Sequence, residues 1–235
     1  MKRWTGGAAV IVATLALTSC VNPPPTQPPV VAPAPATITA ADAQQDLFRQ
    51  VRAFTVRVRA LKCGEVDTGT GWAVGKRTIV TNRHVVEGAQ RLEISTWDGQ
   101  SLAVASAEEA TGPDLALIQL AQDAYAVAPR VAKTNPKIET PLHVIGYPEG
   151  RVPHENNGSV QRYLNKSPLD PSGTVMQMSG DVEPGNSGSP VVDDHGTVVA
   201  VVYAYEFSTG WDTTEPVSRL LPVLRGDGLT PVVPC

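Results

Sequence analysis

From residue 52 onward the chain alternates apolar and polar positions with a period of two. Val56, Val58 and Ala60 alternate with Arg57, Arg59 and Leu61, and Leu92, Ile94 and Thr96 alternate with Glu93 and Ser95. Side chains on an extended strand point to opposite faces in turn, so these segments read as strands with one buried face. Leu115, Leu117 and Leu120, and later Val198 to Tyr205, are further strand-like runs. Turns rich in Gly, Pro or Asp separate them about every 8–12 residues, the spacing of a β-sandwich or barrel. No internal repeat interrupts this order. Upstream the period is helical: Leu47, Val51 and Phe54 share one face, with Thr39 as a candidate N-cap and Asp42 three residues later. A short helix is expected over 37–51.

The first residues follow a different logic. Lys2 and Arg3 precede an apolar run from Ala8 to Leu17, too short to span about 30 Å of hydrocarbon and typical of an export signal. Its ending, Leu17-Thr18-Ser19-Cys20, resembles the bacterial lipobox, which implies removal of residues 1–19 and acyl chains on Cys20. An ordinary secreted protein cut nearby is the alternative. Residues 22–36, NPPPTQPPVVAPAPA, hold seven prolines and no charge. Proline fixes φ and donates no hydrogen bond, so this segment reads as an extended spacer of roughly 45 Å at about 3.1 Å per residue.

Composition narrows the function classes. The 19 Lys and Arg against 23 Asp and Glu give a net charge of −4, with no basic stripe of the kind nucleic acid needs. Twenty Gly and 21 Pro favour turns and a linker over a helical bundle. Three cysteines lack zinc-ligand spacing, and no metal or cofactor is implied. If Cys20 is lipidated, Cys63 and Cys235 remain, and two thiols in an exported chain suggest one bridge; two free thiols are the alternative.

Three segments carry chemistry. Thr78 to Val86, TIVTNRHVV, delivers His84 at the end of an apolar strand. GPDLALI sets Asp114 between a Gly-Pro turn and another strand, and EPGNSGSP sets Ser187 among glycines before Val191 and Val192. Singly these are a surface histidine, a strand cap and a β-turn. Jointly they supply a weak nucleophile, the imidazole that takes its proton, and the carboxylate that orients the imidazole. The backbone N–H groups of Gly185 and Ser187 are the candidate oxyanion hole.

The chain order His84, Asp114, Ser187 differs from that of subtilisins and α/β-hydrolases and resembles the chymotrypsin/trypsin-like serine proteases. TNRHVV, GPDLALI and PGNSGSP are most similar to the bacterial HtrA/Deg-type and glutamyl-endopeptidase-like branches. Gly69-Thr70-Gly71-Trp72, Leu142 to Pro148 and Gly158-Ser159-Val160 resemble further family strands. The resemblance implies an all-β fold of two antiparallel six-stranded barrels, over 52–130 and 131–235, with the site between them. It implies a serine endopeptidase acting on protein or peptide substrates through an acyl-enzyme, and the lipobox-like ending at Cys20 implies that it sits at a membrane's outer face. A PDZ domain is not expected in the ten residues after Arg225. Asn186 stands where trypsin-type zymogens use Asp, so competence without an activating cleavage is expected.

For the substrate side chain, Asp181, Tyr203 and Tyr205 are the candidates. Asp181 suggests a basic preference, whereas a roofing Tyr205 suggests small side chains. His143, His154 and His195 have no metal-spaced partner and read as surface or core residues. A catalytically silent protease-fold scaffold is the alternative function, and an esterase with the same three residues is another.

Overall fold

The computed structural model describes residues 47–165, 173–206 and 210–235, except the side chains of 204–206. The expected lipidation site Cys20, the proline spacer, Thr39 and Asp42 lie outside the described residues. Helix α1 (Leu47–Phe54) buries Val51, Ala53 and Phe54 and ends where the Thr55 hydroxyl donates to the Val51 carbonyl at 2.8 Å. It therefore extends beyond the expected residue 51. Its Arg52 guanidinium lies 4.1 Å from the centroid of the Trp97 ring, fixing the helix against the sheet that follows.

That sheet is built from β1 (Thr55–Leu61), β2 (Val66–Ala73), β3 (Thr78–Thr81), β4 (Arg91–Thr96), β5 (Ser101–Leu102), β6 (Val104–Ala110) and β7 (Ala116–Leu120). A single helical turn, α2 (Arg83–Val86), separates β3 from β4. The second half comprises β8 (Pro141–Gly146), β9 (His154–Asn165), β10 (Thr174–Met178), β11 (Pro190–Val192), β12 (Val198–Glu206) and β13 (Trp211–Pro216). Helix α3 (Val217–Leu224) follows in the chain, and β14 (Leu229–Pro231) comes last. Every strand pair in the two sheets is antiparallel.

The second half closes as the expected six-stranded barrel, in the order β10-β13-β12-β11-β8-β9. The first is a curled, eight-stranded sheet, β14-β6-β7-β3-β2-β1-β4-β5, where six strands were expected. The two-residue β5 and the C-terminal β14 account for the excess. The expected division at residue 131 therefore does not apply to β14, which returns to pair with β6.

Alternation fills the interior as the pattern requires. Val56, Val58 and Ala60 of β1 are fully buried, as are Ile79 and Val80 of β3. One apolar cluster spans the seam between the halves: Val51, Trp72 and Ile118 belong to it together with Ile145, Val192, Val201 and Leu220. A smaller cluster around Leu142, Met176, Met178 and Val191 fills the second barrel. The seam is thus a packed contact on which side chains from both sheets can be held in fixed relation.

Cys63 and Cys235 are disulfide-bonded across 172 residues, with Cα atoms 5.9 Å apart. The bridge ties the end of β1 to the C-terminus, beside Gly88, whose carbonyl accepts from the Cys235 N–H at 3.2 Å. Closing so long a loop restricts the unfolded chain and stabilises the fold by up to about 5 kcal/mol in the chain-entropy treatment. Cys63→Ser and Cys235→Ser should each lower the urea midpoint by the same amount, and the double variant by no more than either. Additive losses would show that the two sulfurs stabilise the protein separately.

Candidate active site

The antiparallel pairing of β3 with β7 sets Thr81 opposite Ala116. His84 lies three residues beyond the first and Asp114 two before the second, so the two side chains meet where the strands end. The α2 turn buries Val85 and Val86, which leaves the His84 side chain 46% exposed while that of Asp114 is only 10% exposed. His84 Nδ1 lies 2.5 Å from Asp114 Oδ2, and the His84 backbone N–H donates to Oδ1 at 2.9 Å. With both carboxylate oxygens engaged on one residue, the imidazole is held in a single orientation. A proton on Nδ1 leaves the Nε2 lone pair free.

Asp114 is itself held from both sides. Its carbonyl accepts from Asn82 Nδ2 at 2.7 Å, and its N–H donates to Glu215 Oε1 at 2.9 Å. Glu215, on β13, is fully buried, and its other oxygen pairs with Arg219 Nε of α3 at 3.1 Å. The second barrel therefore reaches across the seam to fix the backbone of the carboxylate that orients His84.

Ser187 sits in the turn between β10 and β11. Residues 183–186 form a type II turn: the Asn186 N–H donates to the Glu183 carbonyl at 3.0 Å, with Pro184 second and Gly185 third at φ +97°. A residue with a Cβ would be strained there, and that Cβ would also approach Glu149 N to 2.7 Å. The Pro184 carbonyl accepts from the Glu149 N–H at 2.6 Å. Because C=O and N–H point oppositely across a trans peptide, this bond turns the Gly185 N–H away from Glu149. Neither that N–H nor the Ser187 N–H meets an acceptor among the described residues.

Thr70 of β2 ties this turn to the first sheet. Its N–H donates to the Ser187 carbonyl at 2.8 Å. Its hydroxyl donates to the Gly185 carbonyl at 2.7 Å and accepts from the Tyr147 N–H at 2.9 Å. The adjacent Gly69 allows the close approach: a Cβ there would lie 2.7 Å from Val85 Cγ2 and 3.0 Å from the Ser187 carbonyl oxygen. Gly69 thus lies between the residue following His84 and the candidate nucleophile.

Residues 69–201, more than half of the chain, match the family described as the trypsin-like peptidase domain. The chain belongs to that family. Among curated relatives it is 29% identical over 151 residues to the serine protease Do-like HtrA of Bacillus subtilis, covering 58% of this chain and 34% of that protein. It is 26% identical over 185 residues to the serine protease Rv3671c of Mycobacterium tuberculosis, covering 74% of this chain and 45% of that one. The chain thus spans less than half the length of these relatives. The crystal structure of the Rv3671c protease in its active form superposes with a TM-score of 0.70 at 21% identity, covering 92% of this chain and 97% of that chain. An HtrA-type protease, AlgW bearing a serine-to-alanine substitution and a tripeptide, gives 0.68 at 19% identity, covering 77% and 62%.

Within this trypsin-like peptidase domain the other sequence candidates fall in different places. Asp181 is exposed, and its carbonyl accepts from Asn156 Nδ2 at 3.0 Å. Tyr203 is buried on β12. Tyr205 pairs through its backbone with Asp212, and its side chain is outside the described set. Asn186 is buried in the serine turn as a neutral amide, so it needs no cation beside it. His143 Nδ1 lies 2.9 Å from Glu155 and 2.7 Å from Asn157, and its Nε2 lies 2.9 Å from Asp194. Burial opposes its charged form, but the bonds to Asp194 and Glu155 outweigh this and raise its pKa.

Thr70, Glu149 and Glu215 were not anticipated from sequence as site residues. Replacing Thr70 by the near-isosteric Val would leave the Tyr147 N–H and the Gly185 carbonyl without their shared partner, costing about 2 kcal/mol. Thr70→Ser should recover most of that loss, and urea unfolding of the two variants measures the difference. Equal stability of the Val and Ser forms would contradict the role given to the hydroxyl.

Proposed function

We propose that this chain is a membrane-tethered, extracytoplasmic serine endopeptidase in which His84, Asp114 and Ser187 form the catalytic triad. The observation that carries the proposal is the two-point contact of Asp114 with His84, at Nδ1 and at the backbone N–H. A carboxylate there keeps the Nδ1 proton in place, so that Nε2 acts as the base. The tether rests on the lipobox-like ending at Cys20 and the proline spacer after it.

In the mechanism, His84 Nε2 takes the Ser187 hydroxyl proton as Oγ attacks the peptide carbonyl carbon. The carbonyl electron pair moves onto oxygen, and the resulting oxyanion accepts from the N–H groups of Gly185 and Ser187. These donors are fixed before substrate arrives, so they stabilise the new charge with little reorganisation. The C–N bond then breaks as the imidazolium gives its proton to the leaving amine, and the acyl group remains as an ester on Ser187. Water, losing a proton to Nε2, attacks that ester. The second tetrahedral intermediate collapses to release the acid and restore the hydroxyl. Asp114 stays ionised throughout and stabilises the transient imidazolium.

Hydrolysis of a peptide mixture by the folded chain tests the proposal. Ser187→Ala and His84→Ala should each lower kcat by several orders of magnitude, and Asp114→Asn by about four, with the fold retained by circular dichroism. Turnover that survives Ser187→Ala would refute the serine mechanism.

A further inference from the structure

Two half-buried arginines alternate with the buried residues of β1, and they are used differently. Arg59 lies opposite Glu93 of β4, and its Nη1 donates to Glu93 Oε2 at 2.8 Å. Arg57 lies opposite Ser95, whose hydroxyl accepts from its Nε at 3.2 Å. Its Nη1 reaches further, across the seam, and donates to the Gly150 carbonyl of the second half at 2.9 Å. No carboxylate among the described residues pairs with Arg57, so its charge is directed at a hydroxyl and a carbonyl. A hydrogen bond from an ionised donor is about twice as strong as one between neutral groups.

The carbonyl it holds belongs to a turn that touches the serine turn. Residues 148–151 close through the Arg151 N–H, which donates to the Pro148 carbonyl at 3.0 Å. The central residues, Glu149 at φ +51° and Gly150 at φ +69°, are both left-handed, as type I′ requires. Glycine suits the second position, where a Cβ would also lie 2.7 Å from Thr68 Cγ2. Glutamate does not suit the first: its Cβ crowds the following carbonyl, and such a conformation persists only when the surroundings hold it. The backbone N–H of this same Glu149 donates to the Pro184 carbonyl and so sets the direction of the Gly185 N–H. The turn is held on its near side by Thr70, through the Tyr147 N–H, and on its far side by Arg57, through the Gly150 carbonyl.

We propose that Arg57 is a positioning residue for the oxyanion hole, acting through the Gly150 carbonyl and the Glu149 N–H on the peptide that carries the Gly185 donor. This rests on the serine-peptidase reading above. Without the guanidinium, Glu149 is free to relax to a negative φ; its N–H then leaves the Pro184 carbonyl, and the 184–185 peptide can rotate. Arg57→Met keeps the stem and removes the donors. On a peptide that the wild type cleaves, it should lower kcat between about tenfold and the roughly hundredfold that loss of a whole oxyanion donor costs, with KM within about threefold. A peptide aldehyde, whose hemiacetal with Ser187 presents its oxygen to the same donors, should lose affinity by the same factor as kcat/KM. Arg57→Lys, which still carries a charged donor, should recover part of kcat. Adding Glu149→Asn to Arg57→Met should also recover part of it, because asparagine tolerates the left-handed conformation.

A kcat unchanged by Arg57→Met overturns the inference, as does a loss carried by KM alone or a loss of kcat that aldehyde binding does not share. So does a loss that neither Arg57→Lys nor the added Glu149→Asn relieves. If Arg57→Met does not fold, Arg57→Gln makes the same comparison: its amide nitrogen can stand where Nε donates to Ser95, and nothing extends from it to Gly150. Ser187-dependent cleavage that is indifferent to Arg57 removes this inference and leaves the peptidase reading intact; no Ser187-dependent cleavage by the wild type removes both.

Discussion

Four hydrogen bonds converge on Thr70. Its N–H and hydroxyl donate to the carbonyls of Ser187 and Gly185, its hydroxyl accepts from the Tyr147 N–H, and its carbonyl accepts from the Thr81 hydroxyl at 2.7 Å. Chemistry spread over two sheets requires those sheets to keep one relative position, and this buried threonine on β2 joins them at the serine turn. Because it bonds to the backbone of the turn, the constraint acts on the direction of the peptide groups there. The Glu149 N–H fixes the neighbouring peptide from the opposite side. Between them they determine where the donors of residues 185 and 187 point.

A second tie crosses the seam the other way. Arg219 pairs with Glu215, and Glu215 holds the N–H of Asp114. A buried ion pair contributes little net stability compared with apolar packing, but it fixes position well because both partners are directional. The apolar cluster that includes Val51, Val192, Val201 and Leu220 supplies the burial across the same seam. Packing thus joins the halves, and the polar contacts set their register.

The residues that were legible in the sequence are those with local signals. His84 and Asp114 each flank an apolar strand, and Ser187 stands among glycines, so each could be picked out within eight or nine residues. β1 and β4 follow from alternation, and β7 and β12 from strand-like apolar runs. β13 does not: Trp211-Asp212-Thr213-Thr214-Glu215-Pro216 reads as a polar loop, yet 212–216 are buried. Two of its polar side chains are taken up by distant partners, Thr214 by the Met176 carbonyl and Glu215 by a residue 101 positions away, and no short window along the chain contains either pair. The eight-stranded first sheet was hidden for a related reason. β14 is three residues long and joins β6 only after the chain has completed the second barrel.

Treating the folded chain with a fluorophosphonate and mapping the adduct by mass spectrometry tests the joint action of these groups most directly. Such a probe reacts only with a serine whose proton is removed and whose developing oxyanion is held, so it reports the base and the donors together. One adduct should form, at Ser187, and be lost in His84→Ala. A folded protein that takes up no label, or takes it up elsewhere, would contradict the reading of this seam as an active site.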